Sequence, residues 1–159
     1  MLREKQMTVC RTVAHTGLAV LTDCGEFDNI HPLDKQTVGY RLALQARKKV
    51  YGEDICADAP VFYRVVFEDG KAAAYFRHTD GSLYVKGKKL LGFEIAGRDG
   101  IFYPAEGTVL TEKVSLWSEK VMRPAYLRYA WNNYCEANLY GASGLPAAPF
   151  RTDQEMCVD

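Results

Sequence analysis

The chain has 159 residues, enough for one domain or for a small domain joined to a piece of another. Nearly half of the residues are hydrophobic and a quarter are charged, which is globular composition and excludes general disorder. Positive and negative charges cancel, so no long-range field draws the chain to nucleic acid or to an anionic membrane, and no run of about 18 apolar residues forms a membrane span.

The first residues, Met1-Leu2-Arg3-Glu4-Lys5-Gln6, are polar and contain no apolar signal core; the compartment stays open. Residues 2–13 lack proline and glycine and mix charges with Leu2, Met7, Val9 and Cys10, which predicts a helix. His15-Thr16-Gly17 ends it. Leu18-Ala19-Val20-Leu21 then reads as a strand apolar on both faces, the kind found inside a parallel sheet. Parallel strands need parallel neighbours, and nothing upstream in the sequence supplies them. A polar loop follows, Gly25-Glu26-Phe27-Asp28-Asn29-Ile30-His31-Pro32. After it, Asp34 is a predicted N-cap, and Val38, Leu42, Ala46 and Val50 recur every four residues as the apolar stripe of a second helix. Arg41, Gln45, Lys48 and Lys49 populate the other side, and Gly52 closes the helix. Residues 53–60 read as a linker.

From Val61 the pattern changes to short strands with glycine-containing turns. Strands are predicted at 61–68, 71–77, 83–85, 90–95, 101–103, 108–110, 114–117 and 126–131, with Asp69-Gly70 as the strongest hairpin signal. Asp99-Gly100 and Glu106-Gly107 provide further breaks, and residues after Asn132 read as irregular. The expectation is an α/β remnant (helix, strand, loop, helix) over residues 1–53, followed by an antiparallel β-sandwich domain over 54–159. The first part cannot bury a core alone. It must pack on the second, on another chain, or on an N-terminal region outside this sequence.

Strand, loop with ionisable groups, and helix is the arrangement that sets catalytic side chains at the carboxyl edge of an α/β sheet. Asp28 and His31 lie three residues apart on that loop, so the carboxylate can orient the imidazole as a general base. A base needs a nucleophile. None of Ser82, Ser115, Ser118 and Ser143 lies in G-x-S-x-G, and Gly141-Ala142-Ser143-Gly144 precedes coil instead of a helix. Cys24 borders the loop, but a packed small side chain is the plainer reading of it. A metal site from His15, Asp23, Cys24, Asp28 and His31 is the rival use, without any recognised ligand spacing, and no cofactor motif is present. The five cysteines are widely spaced, odd in number and free of C-x-x-C, so reduced thiols are expected. Lys86, Lys88 and Lys89 beside Gly87 read as a solvated hairpin tip. Aromatics on the later strands read mainly as sandwich core, with Trp131, Asn138 and Tyr140 as candidate sugar contacts where the chain leaves the last strand.

Several motifs in order carry a resemblance. Thr16-Gly17-Leu18-Ala19-Val20, Asp28-Asn29-Ile30-His31-Pro32, and the run from Lys35 to Leu44 resemble the final segment of the catalytic domain of sialate O-acetylesterases, which are SGNH-type carbohydrate esterases. Leu91-Gly92-Phe93-Glu94-Ile95-Ala96-Gly97, Arg128-Tyr129-Ala130-Trp131, Ala137-Asn138-Leu139-Tyr140 and the run from Gly144 to Asp153 continue it. The resemblance implies an α/β/α hydrolase domain followed by a β domain, and a triad whose Asp-x-x-His pair matches Asp28 and His31. The family's serine, glycine and asparagine blocks have no counterpart here, which implies a C-terminal fragment, inactive alone. Its partners would be the missing N-terminal catalytic region and an acetylated sugar, with self-association when that region is absent. Relatives are often exported. The alternative is a carbohydrate-binding or accessory β module without catalysis.

Overall fold

The computed structural model describes residues 2–134 and 136–153. Helix α1 spans Leu2–Thr12 and α2 spans Lys35–Lys49, and ten strands follow. The strands are β1 (Val61–Glu68), β2 (Lys71–Arg77), β3 (Leu83–Val85), β4 (Phe93–Ala96), β5 (Phe102–Pro104), β6 (Glu106–Leu110), β7 (Lys113–Trp117), β8 (Tyr126–Tyr129), β9 (Leu139–Gly141) and β10 (Phe150–Arg151).

Turn chemistry sets the first hairpin. Asp69 and Gly70 take φ of 49° and 71°, the left-handed pair that a tight turn between twisted strands requires, and β1 and β2 pair antiparallel on either side. The first sheet has the order β1-β2-β7-β6 and the second β10-β8-β4-β5, with β3 and β9 as a separate pair. Ala72, Ala74, Phe76, Val114 and Leu116 from one sheet share a core with Phe93, Ile95, Leu127, Tyr129 and Phe150 from the other. That shared core is the expected sandwich. Phe150 stacks on Phe62 at 4.1 Å between ring centroids and so joins the two sheets at one edge.

Two predicted irregularities are ordered. Gly107 does not break the chain but sits inside β6, where a Cβ would come within 2.7 Å of Leu116 Cδ2 and 2.8 Å of Leu90 Cδ2. The glycine is there for close packing, not for turning. The stretch after Asn132, expected to be irregular, contributes β9 and β10 and buries Ala137, Leu145, Ala147 and Ala148. Its small residues bring the backbone close enough for Ala147 N–H to donate to Leu139 O at 2.8 Å and Ala148 N–H to Pro60 O at 2.8 Å. Such a segment carries no period-2 signature, which is why its order does not show in the pattern.

The N-terminal part differs more. Residues 18–21 take no regular secondary structure and form no ladder among the described residues, because the chain places no strand beside them. Val20 instead joins Leu44, Ala57, Ala59, Leu145 and Ala148 in a second, smaller core. Of the residues 53–60 expected as a linker, Ala57 and Ala59 join that core, Ile55 packs against it, and Pro60 is buried. Helix α2 forms as predicted, and Asp34 caps it by accepting from Thr37 N–H at 2.9 Å. Its buried face is not the predicted stripe. Arg41, Leu44 and Gln45 point inward, whereas Leu42 and Val50 are 53% and 75% exposed. The inward neighbours are polar, so polar side chains meet them: Gln45 donates to the Ala57 carbonyl, and Lys48 pairs with Asp58 at 2.7 Å.

Candidate functional site

The loop at residues 25–32 stands on a fixed base. Cys24 N–H donates to Leu21 O at 3.2 Å and closes a turn after residues 18–21. Arg41 reaches back from α2, donating to Val20 O at 2.8 Å and to both oxygens of Asp23. Tyr140, on β9, donates its hydroxyl to Asp23 Oδ2 at 3.0 Å. One carboxylate therefore joins the loop base, α2 and the β domain. Burial opposes ionisation of Asp23, but the Arg41 hydrogen bonds and charge, helped by Tyr140, outweigh it and hold its carboxyl below the ordinary 3.8. Burial and then the Asp23 charge push the Cys24 thiol up to about 11, so this cysteine is a packed neutral thiol and a poor nucleophile.

Above that base, Glu26 organises the turn. It accepts from Leu33 N–H at 2.7 Å and from the Asn29 amide at 3.1 Å, and these bonds hold its carboxyl below the usual range. Asn29 Oδ1 in turn accepts from His31 N–H at 2.9 Å. Phe27 sets its ring edge-to-face on Tyr134, with centroids 5.6 Å apart, linking the loop to the stretch after β8. Asp28 and His31 are both exposed on this loop. Among the described residues no hydrogen bond or ion pair joins them. The backbone that carries them is held by Glu26 and Asn29, whose part in the loop no motif announces.

The remaining sequence candidates lie elsewhere. Asn138 is occupied internally: its amide donates to Lys86 O at 3.0 Å and Lys89 O at 2.8 Å, and its oxygen accepts from Leu91 N–H at 2.8 Å. It fastens the 86–91 turn. Tyr140 is buried, stacks on Tyr84 at 5.7 Å, and spends its hydroxyl on Asp23. Trp131 is half-buried at the mouth of a cleft with Arg3, Glu4 and Pro149, and the Arg151 guanidinium lies 5.0 Å from its ring centroid. Ser143 Oγ is enclosed without a hydrogen-bond partner, in a turn closed by Gly144 N–H donating to Gly141 O at 2.9 Å. Among the described residues no group of three histidine, cysteine or acidic side chains gathers as a metal site.

The clearest residues that pattern reading missed are Arg41 and Asp23 as a pair. They lie 18 positions apart, and only the return of α2 over residues 18–23 brings them together.

No family model matches the chain. A solved structure of a carbohydrate acetylesterase from Xanthomonas citri superposes on 96% of the chain with a TM-score of 0.91 and 42% identity, and that match takes in 36% of the Xanthomonas protein. The architecture is thus one found within a carbohydrate acetylesterase. Among curated proteins, the sialate O-acetylesterases of Pongo abelii and Homo sapiens are 34% and 33% identical over 143 and 135 residues. The chain corresponds to a portion of a sialate or carbohydrate O-acetylesterase. It spans about a quarter of the curated relatives' length, 27% and 26%.

Proposed function

We propose that this chain is the C-terminal portion of a carbohydrate O-acetylesterase and supplies the Asp-His half of its triad. The observation that carries the reading is the loop itself: an exposed acid and histidine three residues apart, on a turn braced by Glu26 and footed on the Arg41–Asp23–Tyr140 network. Similarity to an acetylesterase of known structure supports it.

The chemistry is acyl transfer. A serine hydroxyl of the complementary region attacks the acetyl carbonyl of a sugar ester while His31 takes its proton. The tetrahedral intermediate collapses, the sugar leaves as its alcohol with the proton returned by His31, and an acetyl-serine remains. Water, deprotonated by His31, then releases acetate and restores the serine. Asp28 orients the imidazole and stabilises it when charged, closing the bond between them in the completed site.

The test compares hydrolysis of a chromogenic acetyl ester by the isolated chain with that by the chain fused to the rest of a carbohydrate acetylesterase. Turnover is expected only in the fusion, falling by about 10³-fold or more in Asp28→Asn. Enzyme-like turnover by the isolated chain, or an indifferent Asp28→Asn fusion, contradicts the reading.

A further inference from the structure

A cleft of about 530 Å³ lies between α1 and β1, and none of its lining residues comes from the 25–32 loop. A bulge shapes its wall. Phe62 pairs with Phe76 and Arg64 with Tyr75, so Tyr63 is the extra residue in β1, and both Tyr63 and Arg64 line the cleft. The Arg77 guanidinium lies 3.7 Å from the Tyr63 ring centroid and that of Arg64 lies 4.2 Å from the Tyr75 centroid, contacts that steady these long side chains. Tyr63 nonetheless stays 52% exposed. Arg11 enters from α1, and Trp131 from the segment after β8. The charges of the lining are unbalanced. Arg11, Arg64 and Arg151 stand against one acid, Glu4, and both Glu4 oxygens accept from Arg151. Among the described residues no hydrogen bond or ion pair engages the guanidinium groups of Arg11 and Arg64, the Tyr63 hydroxyl or the Trp131 indole N–H. Donors without acceptors, set beside two aromatic rings, call for an acceptor-rich, negatively charged ligand that also has an apolar face.

We infer that this cleft binds a sugar bearing an oxyanion, either a carboxylate or a sulfate ester, as a second site apart from the Asp28–His31 loop. The planar guanidinium groups of Arg11 and Arg64 are donors only and match an oxyanion's paired oxygens. An anion between them also offsets two like charges brought to one cleft. Tyr63 and Trp131 take the ring of the sugar: the C–H face of a pyranose packs on an aromatic surface, while their O–H and N–H reach its hydroxyls. Because Arg151 neutralises Glu4, the one carboxylate of the lining does not oppose an incoming anion. The volume falls within the range of about 300–1,000 Å³ typical of small-molecule sites. The inference rests on the esterase reading for the ligand being a sugar; its charge follows from the cleft alone. Binding here needs neither Asp28 nor His31, so it is separable from hydrolysis.

The test is isothermal titration calorimetry of the 159-residue chain with tetrasaccharides of equal length. Tetragalacturonate carries only carboxylates, a carrageenan tetrasaccharide only sulfates, and galactotetraose no charge. Saturable binding of one or both acidic probes is expected, at least about 10-fold tighter than the neutral one, and the probe that binds identifies the oxyanion. Arg11→Gln and Arg64→Gln should each weaken it about 10-fold and Tyr63→Ala about 5-fold, with far-ultraviolet circular dichroism unchanged because all three side chains are exposed. Lys88→Gln removes the same charge from an exposed turn outside the cleft and should leave the affinity within about 2-fold. Absence of saturable binding by both acidic probes up to about 1 mM overturns the inference. Equal weakening by Lys88→Gln also overturns it, because general charge attraction then accounts for the binding. So does inorganic sulfate bound as tightly as the sugars, which leaves an ion site with no part for the rings. The esterase reading fails separately: binding by the chain, with ester hydrolysis by the fusion that ignores His31→Ala, leaves the cleft site standing without the triad. Hydrolysis that depends on His31 without binding in the cleft leaves the triad standing alone.

Discussion

Tyr140 binds the two parts of the chain through a single hydroxyl, and its replacement separates packing from tethering. Tyr140→Phe keeps the ring against Tyr84 but leaves Asp23 one donor short, which should cost about 1 kcal/mol in urea unfolding. Arg41→Met should cost more, about 3 kcal/mol, because it strands an enclosed carboxylate; the two side chains are only 8% and 16% exposed. The pH dependence follows from the sign of the shift. Asp23 has its folded pKa below its unfolded one, so its contribution is complete above the ordinary 3.8 and disappears as pH falls through the lowered value. Glu4 behaves alike: burial opposes its ionisation, but Arg151 overrides this and lowers it from 4.5 to about 2. Asp23→Asn should therefore lose much more stability at pH 7 than at a pH below that lowered value, where the native carboxyl is itself protonated. Equal losses at both pH values would show that the ion pair is not what Asp23 contributes. Cys24, with its thiol near 11, should resist iodoacetamide at pH 8 far longer than exposed Cys56, as read from the two labelled peptides.

Helix α2 shows what sequence pattern can and cannot convey about an element. Its extent and cap were legible, because Asp34 and the absence of breakers are local facts. Its orientation was not, because the apolar stripe of Leu42 and Val50 faces away from the β domain and the burial of Arg41 depends on Asp23. Gly39 lies on that outer face with no atom within 4 Å of a Cβ placed there. Gly39→Ala should stabilise the chain by about 0.5–1 kcal/mol and raise its melting temperature, while Asp34→Ala should lower stability by about 1 kcal/mol. The first strands were readable nearly to the residue, since Asp69-Gly70 fixes both register and turn. Residues 139–151 were not, because small residues in tight backbone contact leave no periodic trace. At residues 18–21 the composition called for a strand that this chain alone cannot pair.

At the scale of the molecule, the large core and the candidate catalytic loop lie in different parts. The sandwich buries a continuous core, whereas the N-terminal part leaves Phe27, Ile30 and Leu33 82%, 90% and 84% exposed on and beside the loop. Large apolar side chains grouped in this way mark a surface meant to be covered. The isolated chain should therefore associate with itself at high concentration, and Ile30→Asp with Leu33→Asp should return it to monomer in sedimentation velocity. The loop was legible as a catalytic candidate because acid, spacing and flanking elements are all written locally; its footing on Asp23, Arg41 and Tyr140 was not, because it spans 117 positions of chain. The central claim is that His31 is a base lent to a nucleophile outside this chain. Its most direct test is ester hydrolysis by the fusion with the rest of a carbohydrate acetylesterase, carrying His31→Ala, with and without added imidazole. A fall of about 10³-fold or more, partly restored by imidazole, is the predicted result. A rate that His31→Ala leaves unchanged would contradict the claim.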